Sequence, residues 1–230
     1  MKTYDTWHQR HDYLPTHRHK DAYATLVLDG SYLETSVDGP VECVPGALVI
    51  HPSFHAHGNR FCHTGAHTIN IALPPYTIVQ TYQVWQTNVK EALEVFRHMP
   101  GRLMELIDTA CPYEYEEVPA WCREFTKQLG LTTTSVSQLA IEFGLSSAYV
   151  SRMIKRIYGM PPVVLRREWR WRKALSLIIR GLAPADIAAQ AGFADQSHLT
   201  RICSQVTGEP PTRLRQKVKF VQDSTFEPAL

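Results

Sequence analysis

The amino-acid sequence predicts an α+β protein of two domains, a strand-rich N-terminal half and an all-helical C-terminal half. In the first half, short apolar segments alternate with turn signals such as Asp29-Gly30, Asp38-Gly39 and Pro45-Gly46. In the second half, apolar residues recur at helical spacing, and one helical pattern occurs twice. A chain of 230 residues is long enough for two such domains, each with its own core.

The charge is divided in the same way. Residues 1–130 carry a net charge of −5, whereas residues 131–230 carry +7. The second half therefore has the positive charge expected of a domain that binds a polyanion such as DNA. The sequence has no apolar run of membrane-spanning length, and its five cysteines form no close pair. These two features favour reduced thiols, a cytoplasmic location and no membrane partner.

Residues 1–86 are predicted to form a small barrel or sandwich, because short strands follow one another at regular spacing. The predicted strands are Ala22–Leu28, Tyr32–Val37, Ala47–Ile50 and Thr68–Leu73, with room for one or two more in Thr77–Gln86. Set among them are His17-x-His19 and the run His51-Pro52-Ser53-Phe54-His55-Ala56-His57.

These histidines, with Gly30 and Pro45-Gly46, resemble the two motifs of the cupin barrels. The resemblance implies a barrel whose histidines can hold a metal ion. Imidazoles and water alone can hold zinc or a similar divalent ion, and a small ligand is expected at the mouth or in the interior of the barrel. The candidate metal ligands are His17, His19 and His57, with His55, His63 and Cys62 nearby. Tyr23 stands where the family has a glutamate ligand. The alternative is that the histidines line or cap the barrel without metal.

Residues 87–118 are predicted to be a helical connector. Val89, Ala92, Leu93 and Phe96 share one face, and a second short helix follows the break at Pro100-Gly101. This face either packs on its own barrel or pairs with a second copy of the chain, which would make the connector a dimerisation element. Cys111–Val118 is acidic and is predicted to be a linker.

Residues 119–218 contain the repeated pattern, and residues 219–230 are predicted to be a tail. Leu139-Ala140 and Gly144-Leu145 return as Ile187-Ala188 and Gly192-Phe193. The later part of the pattern is displaced by one additional residue in the second copy. There, Val150-Ser151-Arg152 returns as Leu199-Thr200-Arg201, and Gly159–Pro162 as Gly208–Pro211. Each copy reads as a short helix, a glycine turn and a second helix, which is the layout of a helix-turn-helix. The two units differ by one residue at the turn.

This repeat resembles the AraC/XylS family of transcription regulators over about Pro119–Val218, and most specifically from Gly192 to Arg201. The resemblance implies seven helices, in which a long helix joins two helix-turn-helix units that bind DNA. Ile154 and Cys203 stand where the family usually has Phe, and both remain apolar.

The helix faces suggest which residues contact DNA. Inward positions are Val150, Ile154 and Ile157 in the first recognition helix, and Leu199, Ile202 and Cys203 in the second. The outward positions, which are the candidate DNA contacts, are Ser147, Ala148, Ser151, Arg152 and Lys155, then Gln196, Ser197, Thr200, Arg201 and Ser204. Arginine can read guanine and glutamine can read adenine, whereas serine and threonine bind bases or phosphates.

The function predicted from sequence is therefore a transcription regulator and not an enzyme. A small-molecule effector or a metal in the barrel would control binding to double-stranded promoter DNA, with RNA polymerase and a second copy of the chain as further partners. One alternative is a metal-dependent cupin enzyme with an accessory helical domain. Another is an architectural DNA-binding protein with an inert barrel.

Overall fold

The computed structural model describes residues 3–73, 81–113 and 117–224. The chain divides into two compact units, one formed chiefly by the first 120 residues and one that begins at Trp121. The first unit is built on an antiparallel sheet, and the second is helical. The predicted fold class is thus confirmed. Within the described residues, no helix is long and apolar enough to cross a membrane.

The sheet contains eight described strands in the order β1-β6-β3-β5-β7-β8, while β2 pairs with β6 and β4 with β3. The strands are β1 (Thr3–His8), β2 (Tyr13–His17), β3 (Tyr23–Ser36), β4 (Gly39–Cys43), β5 (Ala47–His51), β6 (His57–Ala72), β7 (Gln83–Gln86) and β8 (Cys111–Pro112). Among these described strands no pairing joins β8 back to β1, so the sheet does not close on itself. The part of Thr77–Gln86 before residue 81 lies outside the described residues.

The two long strands β3 and β6 bend where they pair with each other, and their register shifts on both sides of Gly30. Gly30 and Gly65 have positive φ values of 70° and 71°. A side chain at Gly30 would collide with the carbonyl oxygen of Gly65. Asp29-Gly30, predicted as a turn, is therefore a bulge within one continuous strand. The other Asp-Gly pair does form the predicted hairpin between β3 and β4.

Two helices complete the first unit. Asn88 caps α1 (Val89–His98) by accepting hydrogen bonds from the backbone of the first turn, and a 3₁₀ turn at Pro100–Arg102 leads into α2 (Leu103–Thr109). Their buried residues join the core of the sheet, so the predicted apolar face packs on its own domain. The start of the predicted linker, Cys111–Pro112, is strand β8.

The helical part of the chain contains the second unit and also Met153–Met160, which is grouped with the first unit. It consists of helices joined by short turns. They are α3 (Ala120–Leu131), α4 (Val136–Glu142), α5 (Ser147–Tyr158), α6 (Pro162–Ile179), α7 (Pro184–Ala191), α8 (Gln196–Thr207) and α9 (Pro211–Ser224). Proline begins α6, α7 and α9, where its missing N–H costs no intrahelical hydrogen bond. Helix α9 continues to Ser224 and so includes the first part of the stretch predicted as a tail.

Candidate DNA interface and histidine cavity

The turns of the two helix-turn-helix units have the same backbone geometry. Gly144 and Gly192 have positive φ values of 67° and 77°. The residue after each glycine donates a 2.9 Å backbone hydrogen bond to an alanine carbonyl in the preceding helix, from Leu145 to Ala140 and from Phe193 to Ala188. Each glycine thus lets its helix end in the left-handed conformation that reverses the chain.

Each recognition helix, α5 and α8, is capped by a different side chain. The Ser146 hydroxyl accepts a hydrogen bond from the backbone of Tyr149 at 3.2 Å, and the Asp195 carboxylate accepts one from His198 at 2.7 Å. The second turn contains one more residue, Ala194, and its backbone donates to the His198 ring at 3.4 Å. Both helices therefore start from a fixed cap, although their turns differ in length.

The buried face of each recognition helix contains the apolar residues predicted for it. Val150, Ile154, Leu199 and Cys203 are fully buried, and Ile202 is nearly so. Ile157 is half-buried. Ile154 and Cys203 thus fill equivalent core positions.

None of the candidate DNA contacts is buried. Those exposed to solvent are Ala148, Arg152, Lys155, Gln196, Ser197 and Arg201, and those half-buried are Ser147, Ser151, Thr200 and Ser204. Tyr149 is 37% exposed next to Ala148 and was not predicted. Its backbone donates to the Ser146 hydroxyl, and its ring centroid lies 5.6 Å from that of Trp121.

One arginine of the linking helix α6 has a structural role. Arg166 donates from Nε to the Leu129 carbonyl at 2.9 Å and from Nη2 to the Thr134 carbonyl at 2.5 Å. It therefore ties α6 to the end of α3 and to the loop before α4. Trp169 packs against Gly130, where the ring leaves no room for a Cβ atom.

In the first unit, a cavity of about 440 Å³ is lined largely by polar and aromatic side chains. Three strand pairs bring six of these side chains together: His17 opposite His57, Tyr23 opposite His51, and Glu34 opposite Asn59. His19 also lines the cavity, two residues beyond His17. The three predicted metal ligands thus meet in one place.

A buried carboxylate holds one side of this cluster. Glu34 lies with its two carboxylate oxygens 3.0 and 3.2 Å from His51 Nε2, and it accepts a 3.1 Å hydrogen bond from Asn59 Nδ2. Since a carboxylate accepts, His51 donates from Nε2. Among the described residues the buried Nδ1 atom of His51 has no hydrogen-bond partner.

A tyrosine holds the other side. The Tyr23 hydroxyl lies 2.9 Å from His57 Nε2, and His57 Nδ1 lies 3.2 Å from the carbonyl oxygen of His55. The Tyr23 ring stacks on His51, with centroids 4.3 Å apart and planes inclined by 6°. Hydrogen bonds and stacking therefore fix the orientation of both imidazoles.

Burial determines the protonation of this cluster. Burial, and then the charge of neighbouring His51, lowers the pKa of His57 well below its usual value. Burial, and then the Glu34 charge, raises the pKa of Tyr23. Burial works to raise the pKa of Glu34, but the charge and hydrogen bond of His51 prevail and lower it. At neutral pH, His57 is thus a neutral imidazole and Tyr23 a neutral phenol.

The cluster offers two sets of metal ligands that share His57. In each set, His17, His19 and His57 or Glu34, His51 and His57, one ligand atom from every residue lies within 4.8 Å of the other two. Three imidazoles at this separation suit zinc or a similar divalent ion, so the first set fits a metal. Sequence reasoning missed Glu34 and His51 as members of the cluster. The inward alternation of β3 and β5 was the available signal.

Comparison with known proteins identifies part of the second unit. Residues 139–217, about a third of the chain, match the family model described as "Helix-turn-helix domain". No curated protein matches the chain.

Several solved structures are similar to this one. ToxT from Vibrio cholerae with bound unsaturated fatty acid is 10% identical, with 93% of this chain and 94% of that chain covered and a TM-score of 0.42. The C-terminal domain of AraT, a response regulator from Geobacillus stearothermophilus, is 21% identical, with coverage of 44% and 88% and a TM-score of 0.42. A DNA-binding transcriptional dual regulator from Escherichia coli K-12 is 16% identical, with coverage of 46% and 99% and a TM-score of 0.40.

The second unit thus contains a helix-turn-helix module, a class of domain that places a helix in the major groove of DNA. The module is of the AraC/XylS type, since the helix-turn-helix is present in two tandem copies joined by the long helix α6.

Proposed function

We propose that this protein is a sequence-specific transcription regulator whose DNA binding responds to a metal ion or small molecule in the N-terminal cavity. The repeated recognition helix is the observation that carries this proposal. Two helices on equivalent scaffolds each expose an arginine at the same position, Arg152 in α5 and Arg201 in α8. The net charge of +7 on residues 131–230 favours a nucleic-acid partner.

Both recognition helices would enter the major groove of promoter DNA. Helix α6 has 18 residues and spans about 27 Å at 1.5 Å per residue, which suits two grooves one turn, roughly 34 Å, apart. Arg152 and Arg201 would read guanine, and Gln196 would read adenine. The remaining candidate contacts would bind bases or phosphates: Ser147, Ala148, Ser151 and Lys155 in α5, and Ser197, Thr200 and Ser204 in α8.

The test begins with selection of genomic fragments by the full-length protein, followed by affinity measurements on the selected site and on random DNA. We expect Arg201→Ala, and likewise Arg152→Ala, to weaken binding to the selected site by about 1–3 kcal/mol. Binding to random DNA should change much less. Arg97→Ala on α1 is the matched control and should bind as wild type. Equal loss on both DNAs would make the arginine a phosphate contact, and no loss would exclude it from the interface.

Control by the cavity is tested by repeating the affinity measurement with and without zinc and candidate small molecules. If zinc changes the DNA affinity of the wild type but not that of His17→Ala, the result would support metal control. DNA affinity that no metal or ligand alters would favour an architectural protein. We expect the regulator to act in the cytoplasm and to bind promoters that RNA polymerase also binds. We also expect a second copy of the chain to bind the same DNA site.

A metal-dependent enzyme is the second candidate, and the histidine cluster is the observation that favours it. In that case the metal-loaded protein would turn over a small substrate and would show no preference among DNA sequences. The exposed, duplicated recognition surface would then have no role, which makes this candidate the weaker one.

A further inference from the structure

We propose that Tyr23 acts as a latch on the histidine cluster, by which we mean that it competes with a metal ion for His57. Its hydroxyl forms a hydrogen bond with the His57 nitrogen that a metal ion would need as a ligand. A divalent metal must therefore displace this hydroxyl before His17, His19 and His57 can bind it together. This inference rests on the metal site that forms part of the proposed function.

The positions of the imidazole protons follow from two backbone carbonyls. His57 Nδ1 faces the carbonyl oxygen of His55 at 3.2 Å, and His17 Nδ1 faces that of Pro15 at 2.9 Å. A carbonyl can only accept, so both Nδ1 atoms carry the proton. With Nδ1 directed at a carbonyl, Nε2 is the atom through which each ring can bind a metal.

The lone pair of His57 is already in use. Tyr23 lies 2.9 Å from Nε2, and because that nitrogen accepts, the hydroxyl donates. A metal ion and a hydroxyl proton cannot share one lone pair. Binding of the metal to His57 therefore requires that this hydrogen bond break.

The latch is also held in place. The Tyr23 ring stacks on His51, which is anchored by the Glu34 carboxylate, and its edge contacts the His19 ring at 4.7 Å between centroids. Tyr23 thus touches two of the three metal ligands. The hydroxyl oxygen is fixed to the ring, so the metal displaces it only when the ring shifts, and the polar interaction then lost between Tyr23 and His57 is one hydrogen bond. A hydrogen bond of ordinary strength corresponds to a two- to tenfold change in metal affinity.

The experiment measures zinc affinity of the full-length protein, stripped of metal, by competition with a chromophoric chelator. Tyr23→Phe keeps the ring that stacks on His51 and removes only the hydroxyl. We expect it to bind zinc about two- to tenfold more tightly than wild type. Tyr13→Phe, at an exposed tyrosine on β2, should leave the affinity unchanged, and His17→Ala should lose it.

Each other result has one meaning. Equal affinity for wild type and Tyr23→Phe overturns the latch and leaves the metal site standing. Weaker binding, with an altered visible spectrum of the cobalt-loaded protein, shows that Tyr23 is itself a ligand and also overturns the latch. If no variant binds zinc, the metal site and the latch both fail, whereas the DNA-binding proposal is tested separately.

A second readout does not depend on metal. The nitrogen chemical shift of His57 Nε2, measured by NMR on metal-free protein, should move in Tyr23→Phe toward that of an acceptor without a partner. Near-ultraviolet circular dichroism checks that the variant is folded. An unchanged shift in a folded variant would contradict the hydrogen bond on which the latch depends.

Discussion

The two units of this protein place their polar side chains differently with respect to their cores. In the first unit, Glu34 and His57 are 1% and 2% exposed and lie inside the fold, where they line the cavity. In the second unit, Arg152 and Arg201 lie outside, on helices whose inner faces are apolar. We conclude that stability and binding are coupled in the first unit and separable in the second. The reason is that an unpaired polar group is costly only where water cannot reach it.

The largest effect expected from this difference is at Glu34. Glu34→Ala should lower the free energy of unfolding of the first unit by about 3–5 kcal/mol, because it leaves His51 and Asn59 buried without their partner. Denaturation by urea measures this, and Glu42→Ala, at an exposed carboxylate on β4, is the control with little change expected. A cost near that of the control would mean that burial does not couple this cluster to folding.

A smaller effect on stability is expected at Arg166. This arginine is an exception to the comparison, because it lies in the second unit and yet has a structural role. Arg166→Ala should destabilise the helical unit by about 2–3 kcal/mol, since two carbonyls lose a charged donor. The loss of helical circular dichroism on denaturation measures it. Lys173→Ala on the exposed side of α6 should cost almost nothing. If the two variants unfold alike, Arg166 belongs with the solvated charges.

The smallest effect sharpens the comparison within the repeat. Asp195→Ala and Ser146→Ala each remove the cap of one recognition helix, and each should cost about 1 kcal/mol of stability. Thermal unfolding measures both, with Ser137→Ala on the exposed side of α4 as control. A cost at Asp195 alone would show that the two units, although their turns share the same glycine geometry, do not fix their helices equally.

Local signals in the sequence predicted the helices closely but predicted the sheet less well. Asp29-Gly30 and Asp38-Gly39 carry the same turn signal, yet the first is a bulge inside β3 and the second a hairpin. What separates them is Gly65, distant in sequence, which meets Gly30 across the bend. A dipeptide cannot report a partner that lies 35 residues further along the chain.

The candidate site shows the same limit. His17, His19 and His57 could be named from their motifs, and the structure places their ring nitrogens together. Glu34 was missed because an isolated glutamate on a strand usually faces water. The role of Tyr23 was also missed, because its position opposite His51 follows from the pairing of β3 with β5.

The sequence by itself determined the helical unit, its internal repeat and the residues that its recognition helices expose. Helix caps, glycine turns and apolar spacing act over a few residues, so a single segment contains the information. Only the tertiary structure decided that the sheet is open, that Glu34 and His51 support the histidine cluster, and that Tyr23 contacts His57. Those features depend on which strands pair and in which register, and pairing joins residues that are far apart in the chain.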